Sequence, residues 1–304
     1  MEIELGHIGI ILLDHSKTRL SKVIKKIKGS DFNTSKLVKE EIVDILQNQS
    51  LETLFLAFDG AIFARNSVYH FVKFGRDAEM KKVRKSSEKF SKNINDFVSL
   101  KAEGVKPLRM KKEPTLLKVF NGKKGVLYFL FGNKGKHTYI RQNFKLKRIN
   151  EPCYDLCVWD SSTSILQIRS AHNTQYYINY FKEALTNSPA PVYDLLEVTE
   201  DNFNEFVEGI NGKVRSVKGK DPSRTKEYVQ KDYMSRADID IRNVDSYDDD
   251  LDGYDILSHG VDFSWNSKQY TIYVSLKKGS FWLRKGDPSE GLLKYLQDVI
   301  IELA

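Results

Sequence analysis

The sequence predicts an α+β protein: a helical N-terminal domain followed by two mainly antiparallel β modules, each closed by a C-terminal helix. Three observations predict it. Apolar residues recur at helical spacing as far as about residue 70, the period changes to alternation from about residue 101, and a run of strands then a helix occurs twice. The predicted domains are a helical basic domain over 1–100, a basic antiparallel β module with its closing helix over 101–188, and an acidic α+β module over 189–304. The loop Asn187-Ser188-Pro189-Ala190-Pro191 is the clearest boundary.

The elements follow in order. Leu20, Val23, Ile24 and Ile27 form one apolar stripe over Thr18 to Lys28, with Lys22, Lys25, Lys26 and Lys28 among them, and Gly29 stops the helix. Thr34 or Ser35 caps a second helix carrying Leu37, Val38, Ile42, Ile45 and Leu46. An apolar run, Leu51 to Phe63, is interrupted at Asp59-Gly60. Residues 73–98 read as a long basic surface helix with a thin stripe of Val83, Phe90, Ile94 and Phe97. Strands are predicted at Thr115 to Phe120, Val126 to Phe131 and Thr138 to Lys147, with turns at 121–125 and at Gly132-Asn133-Lys134-Gly135. Two more follow at Asp155 to Trp159 and Ile165 to Arg169, then a helix over Thr174 to Leu185.

The last third begins with a strand at Val192 to Val198 and a short helix capped by Thr199, with Phe203, Phe206 and Val207 inward. Residues 218–236 read as polar and mobile. Ala237 to Val244, an Asp-rich loop and strands at Val261 to Trp265, Gln269 to Ser275 and Ser280 to Arg284 come next. Pro288 opens a terminal helix with Leu292, Leu293, Leu296, Val299 and Ile300 on one face.

Composition narrows the function classes. With 40% hydrophobic and 29% charged residues in 304, the chain can build cores and is not disordered as a whole. Two Cys exclude a disulfide scaffold and fit a reducing compartment. No apolar run reaches the roughly 18 residues of a membrane span, and Ile8 to Leu13, broken by Gly9, is no signal peptide. A cytoplasmic, nucleoid or nuclear location is expected, not secretion, and no membrane partner.

Charge divides the chain. Residues 1–150 hold 31 Lys and Arg against 15 Asp and Glu, whereas residues 151–304 hold 17 against 26. Such asymmetry points to an anionic partner for the first half. Lys106 to Arg148 contains 13 Lys and Arg and one acid, Glu113, interleaved with Phe120, Tyr128, Phe129, Phe131, Tyr139 and Phe144. A basic sheet neutralises phosphates without reading sequence. Most of the Phe are expected in the core, which favours duplex backbone binding over base stacking. Strand alternation is expected to put Arg141 and Lys145 on one face, with Lys147 beside Lys145. The candidate nucleic-acid-binding residues are Lys81, Lys82, Arg84, Lys85, Lys89, Arg109, Lys111, Lys112, Lys118, Lys123, Lys124, Lys134, Lys136, Arg141, Lys145, Lys147 and Arg148.

The helix pair within 18–46 resembles the SAP type of DNA-binding helix pair over about 30 residues, through Leu20, Ile24, Lys36, Leu37, Ile42 and Ile45. The order of helical N-terminus, basic middle sheet and β-rich end is similar to that of centromere protein N, in order alone. Neither resemblance assigns a family.

Other chemistries are weaker. Asp155 with Gln167-Ile168-Arg169 is similar to the metal-nuclease pattern PD-(D/E)xK, but Gln and Arg stand where an acid and Lys belong, and Arg cannot act as a base. A polar hairpin edge explains these residues better. Asp248, Asp250, Asp252 and Gly253 match the start of a Ca²⁺ loop, yet position twelve is His259. Cys153 and Cys157 lack a second pair for zinc and read as small buried residues, and the six His are dispersed. The expectation is therefore a non-enzymatic nucleic-acid-binding protein acting through residues 73–148, with duplex DNA as partner and no cofactor or metal. The alternatives are a degenerate or partner-dependent metal nuclease subunit and an adaptor docking an acidic protein.

Overall fold

A computed structural model describes residues 12–13, 15–58, 68–74, 113–121, 125–142, 145–170, 173–185, 193–222, 230–235, 239–285 and 289–303. Among them the protein is α+β with antiparallel ladders, and no helix is long and apolar enough to cross a membrane. Two compact units divide the chain. The first takes Met1–Arg65, Phe74–Leu166 and His172–Val192, the second Asn66–Lys73, Gln167–Ala171 and Tyr193–Ala304. The charge asymmetry follows this division, with 31 Lys and Arg against 19 Asp and Glu in the first unit and 17 against 22 in the second.

In the first unit, α1 (Lys17–Lys28) starts where the Ser16 hydroxyl accepts from the Arg19 amide, and it buries Leu20, Val23 and Ile24. The next helix begins later than the sequence suggests. α2 (Lys39–Gln47) has Val38 at its N-cap, whose amide donates to Glu41, while Ser35 is held in a turn by Asn33. α3 (Leu51–Ala57) is capped by Ser50. The expected helix over 73–98 begins wrongly, since β1 (Val68–Phe74) is a strand; the rest of that helix lies outside the described residues.

β2 (Thr115–Asn121), β3 (Val126–Gln142) and β4 (Lys145–Asp160) form an antiparallel sheet. Two corrections belong here. No turn occurs at 132–135: β3 runs through, with one irregularity between Lys134 and His137. The strand expected over Thr138 to Lys147 is instead the far end of a long hairpin, in which Gln142 pairs with Lys145. The turn between β4 and β5 (Ile165–Arg169) closes on Gly125. A Cβ there would lie 2.3 Å from Ser161 Oγ, and its φ of +85° favours Gly as well. α4 (Thr174–Leu185) follows.

The second unit contains β6 (Tyr193–Leu196), α5 (Phe203–Gly209), β7 (Lys213–Lys220), β8 (Gln230–Met234), α6 (Tyr247–Leu251), β9 (Asp255–Trp265), β10 (Lys268–Ser275), β11 (Ser280–Lys285) and α7 (Glu290–Leu303). Its ladder runs β1, β11, β10, β9, β7, β8, with β6 also pairing β1. The stretch expected to be mobile contains the end of β7 and all of β8, with Lys218 opposite Asp232. Polar residues hid these strands, and the buried positions of β7, Val214, Val217 and Gly219, do not alternate regularly because its pairing with β9 shifts between Val214 and Ser216. Part of the Asp-rich loop is the helix α6. Asn202, not Thr199, stands at the N-cap of α5, although Phe203, Phe206 and Val207 are inward as expected. Asn266 and Ser267, both at positive φ, make the two-residue turn between β9 and β10.

Candidate nucleic-acid interface

The near half of the β3–β4 hairpin is a core. On one face Tyr128, Leu130, Leu156 and Val158 join Phe120 and the buried residues of α1, α2 and α3. Phe55 of α3 stacks on Phe120 at 4.4 Å and meets Tyr128 edge-on at 4.7 Å. On the other face Phe129 and Phe131 pack against Phe181, Tyr177 and Tyr180 of α4. Each such side chain contributes roughly 1.5–3 kcal/mol by leaving water. Burial also pushes the Tyr180 hydroxyl up to about 12 and that of Tyr154 above its ordinary range. Phe120, Tyr128, Phe129 and Phe131 are all below 10% exposed, so the expectation that the Phe of this segment are core holds for the three described. They offer no face to a base.

The far half is different in composition. β2 pairs with β3 only as far as Gly132, and beyond it the described ladder is β3 with β4 alone. From Lys134 to Gln142 this ribbon extends about 30 Å at roughly 3.4 Å per residue. Residues 134–152, the ribbon from Lys134 to its partner Pro152, contain six Lys and Arg and one acid, Glu151. Lys134 is opposite Pro152, Lys147 opposite Ile140 and Arg148 opposite Tyr139. Arg141 is opposite Leu146, and Lys145 opposite Gln142. Arg141 and Lys145 therefore stand on different strands, so the single strand expected to align them, Thr138 to Lys147, is replaced by two paired ones. Lys136 lies within the irregularity after Lys134, and Lys118 is opposite Leu130 on β2. Lys81, Lys82, Arg84, Lys85, Lys89, Arg109, Lys111, Lys112, Lys123 and Lys124 lie outside the described residues.

A basic cleft on the same unit was not among the expected sites. Lys17, Lys22 and Lys25 of α1, with Ser21, Thr34 and Ser35, line a shallow groove of about 320 Å³. The three Lys are exposed, and hydroxyls between ammonium groups suit phosphate oxygens. The signal was present: α1 carries six Lys and Arg in 12 residues and no acid. The resemblance to a DNA-binding helix pair rests on the apolar residues of this helix and on Lys36, not on Lys17, Lys22 and Lys25.

The nuclease-like residues are occupied otherwise. Asp155 is buried and accepts from Tyr177 Oη at 2.7 Å and Asn173 Nδ2 at 3.2 Å. In the second unit Arg169 is fully buried, donating to both carboxylate oxygens of Glu290 at 2.7 and 2.8 Å and to Gln167 at 2.6 Å. These are buried ties, not the polar hairpin edge expected. Among the described residues, no group of three or more His, Cys, Asp or Glu is arranged to hold a metal ion. Cys157 is buried.

No known family model matches the chain, and no curated protein matches it.

Proposed function

We propose that the chain is a non-enzymatic nucleic-acid-binding protein that engages the backbone of duplex DNA through its basic region, with the β3–β4 ribbon as the principal contact. One observation carries the reading. A two-stranded ribbon, Lys134 to Pro152, extends past its sheet with six cations and one acid, Glu151. A ribbon of two strands has the width of a duplex groove, and its cations meet the phosphates along the walls. Backbone pairing holds the cations in register, so less ordering entropy opposes their contacts than on a loose tail. The α1 cleft lies on the same basic unit and supplies further phosphate contacts.

Binding of a fluorescent 20-base-pair duplex at two salt concentrations tests this. With six to ten phosphates neutralised, affinity falls by about 10³–10⁵ between 50 and 200 mM salt. A flat salt response overturns the reading. Competition separates DNA from an acidic protein partner: unlabelled duplex displaces the probe at far lower charge-equivalents than polyglutamate. Equal displacement favours the adaptor. Incubation with Mg²⁺ or Mn²⁺ leaves the duplex intact, and cleavage lost on Asp155→Ala would favour the nuclease alternative.

A further inference from the structure

The second unit contains a cavity of about 580 Å³ that the DNA-binding reading does not use, within the size range of small-ligand sites. It is built from five places in the chain: α5 with Glu200 before it, the turn at Ile241–Asn243, α6, the β9 strand and Leu276 after β10. Phe203, Ile256 and Leu276 give it apolar surface. Glu200 and Glu208, both exposed, give it two carboxylates.

Two further lining residues decide the sign of a ligand. Among the described lining residues Arg242 is the one cation, and its fork is already engaged. Nε and Nη2 donate to the two oxygens of Asp240 at 3.0 and 2.7 Å, and Nη1 donates to Asn204 at 2.8 Å. Burial works to raise the Asp240 carboxyl, but hydrogen bonds from Arg242 outweigh it and hold the group below its ordinary value, so the pair is ionised and internally neutral. His259 is 6% exposed and packs on Phe203 at 4.4 Å. Burial, aided by Arg242, brings it down to about 4, so it is uncharged at neutral pH, and its Nδ1 is buried with no hydrogen-bond partner. Among the described lining residues, an anion entering would meet two carboxylates and no available positive charge. A cation on an apolar stem meets the reverse.

We propose that this cavity binds an alkylammonium group, with its stem against Phe203, Ile256 and Leu276 and its charge at the Glu200 and Glu208 wall. A free polyamine and the lysine of a peptide both carry that chemistry. The site is independent of the β3–β4 ribbon, and loss of DNA binding leaves it standing.

Calorimetric titration of the full chain with spermidine and with the N-acetylated tripeptide amide Ala-Lys-Ala, whose lysine carries its only ammonium, tests it. Heat with spermidine alone assigns a free amine, and heat with the peptide assigns a lysine side chain; heat with neither overturns the proposal. Glu200→Gln with Glu208→Gln keeps the shape of the wall and weakens binding at least tenfold. Asp249→Asn with Asp252→Asn removes two exposed acids nearby and leaves affinity within twofold. Equal losses in the two double variants, or unchanged binding when the peptide lysine is acetylated, would mean attraction to an acidic surface and overturn the cavity. Thermal melts of both variants check folding.

Discussion

The two halves of the β3–β4 hairpin share one backbone ladder and differ in everything attached to it. Near the base, Tyr128, Phe129, Leu130 and Phe131 are buried on both faces between α1–α3 and α4. Past Gly132 the same strands carry Lys134, Lys136, Arg141, Lys145, Lys147 and Arg148. The difference teaches that strand pairing and side-chain role separate: backbone hydrogen bonds carry the ladder across a change of composition that hydrophobic burial alone would not sustain. The near half anchors the hairpin, and the far half is the part that the DNA-binding proposal assigns to a partner.

Neutralising the far half should give the largest effect. Replacing its six Lys and Arg by Gln should cost at least about 100-fold in duplex affinity at moderate salt and lower the log–log salt slope by about five. The midpoint of denaturation should move little, by about 0.5 kcal/mol per surface site or less. Anisotropy and urea melts on the same samples check both, and a large stability loss would break the distinction between the halves.

The near half should respond in the opposite way. Phe131→Ala, at a fully buried position packed on Tyr177, Tyr180 and Phe181, should destabilise by about 3–5 kcal/mol. At low denaturant, where the variant is still folded, DNA affinity should be unchanged. Urea titration and binding at matched folded fraction decide it.

The α1 cleft sharpens the comparison. Changing Lys17, Lys22 and Lys25 together to Ala should reduce the salt slope by two to three at most, less than the ribbon variant, because only three cations are removed. Equal or larger losses would move the principal contact onto the helices.

The smallest effect is in pH. Tyr180 is raised to about 12 by burial, so its folded state holds the proton more tightly than the unfolded chain does near 10. Its contribution is fully present below pH 10 and is lost as pH rises through 12. Stability should be level from pH 7 to 9 and fall above 10, and Tyr180→Phe should shrink that fall. An unchanged alkaline limb in Tyr180→Phe would place the titration elsewhere, with Tyr154 the next to change.

How much was legible differs from element to element. The helix over 17–28, the strand Ile165–Arg169 and the helix Thr174–Leu185 were readable because each has one strong period and clear ends. The start of α2 was misread because Thr34 and Ser35 have capping chemistry that a turn uses instead. Gly132-Asn133-Lys134-Gly135 looked like a turn and is strand, since a paired neighbour on β4 satisfies the backbone there. Boundaries near 100 and 188 follow the chain, whereas the compact units take Val68–Lys73 and Gln167–Ala171 with the C-terminal part, a long-range assembly that local pattern does not encode.

Among the candidate site residues, the sequence alone located the basic segment and its scarcity of acids, because charge is a property of composition and survives any fold. It also marked the Phe as core, because their number exceeds what a surface tolerates. Only the tertiary structure decided that Arg141 and Lys145 stand on different strands of one hairpin, since pairing depends on which residues the fold opposes. It alone brought Glu200, Arg242 and His259 to one cavity from positions spread over 60 residues. It alone gave Arg169 to Glu290, a pair that no spacing rule foresees, because a buried guanidinium takes whichever carboxylate the packing delivers.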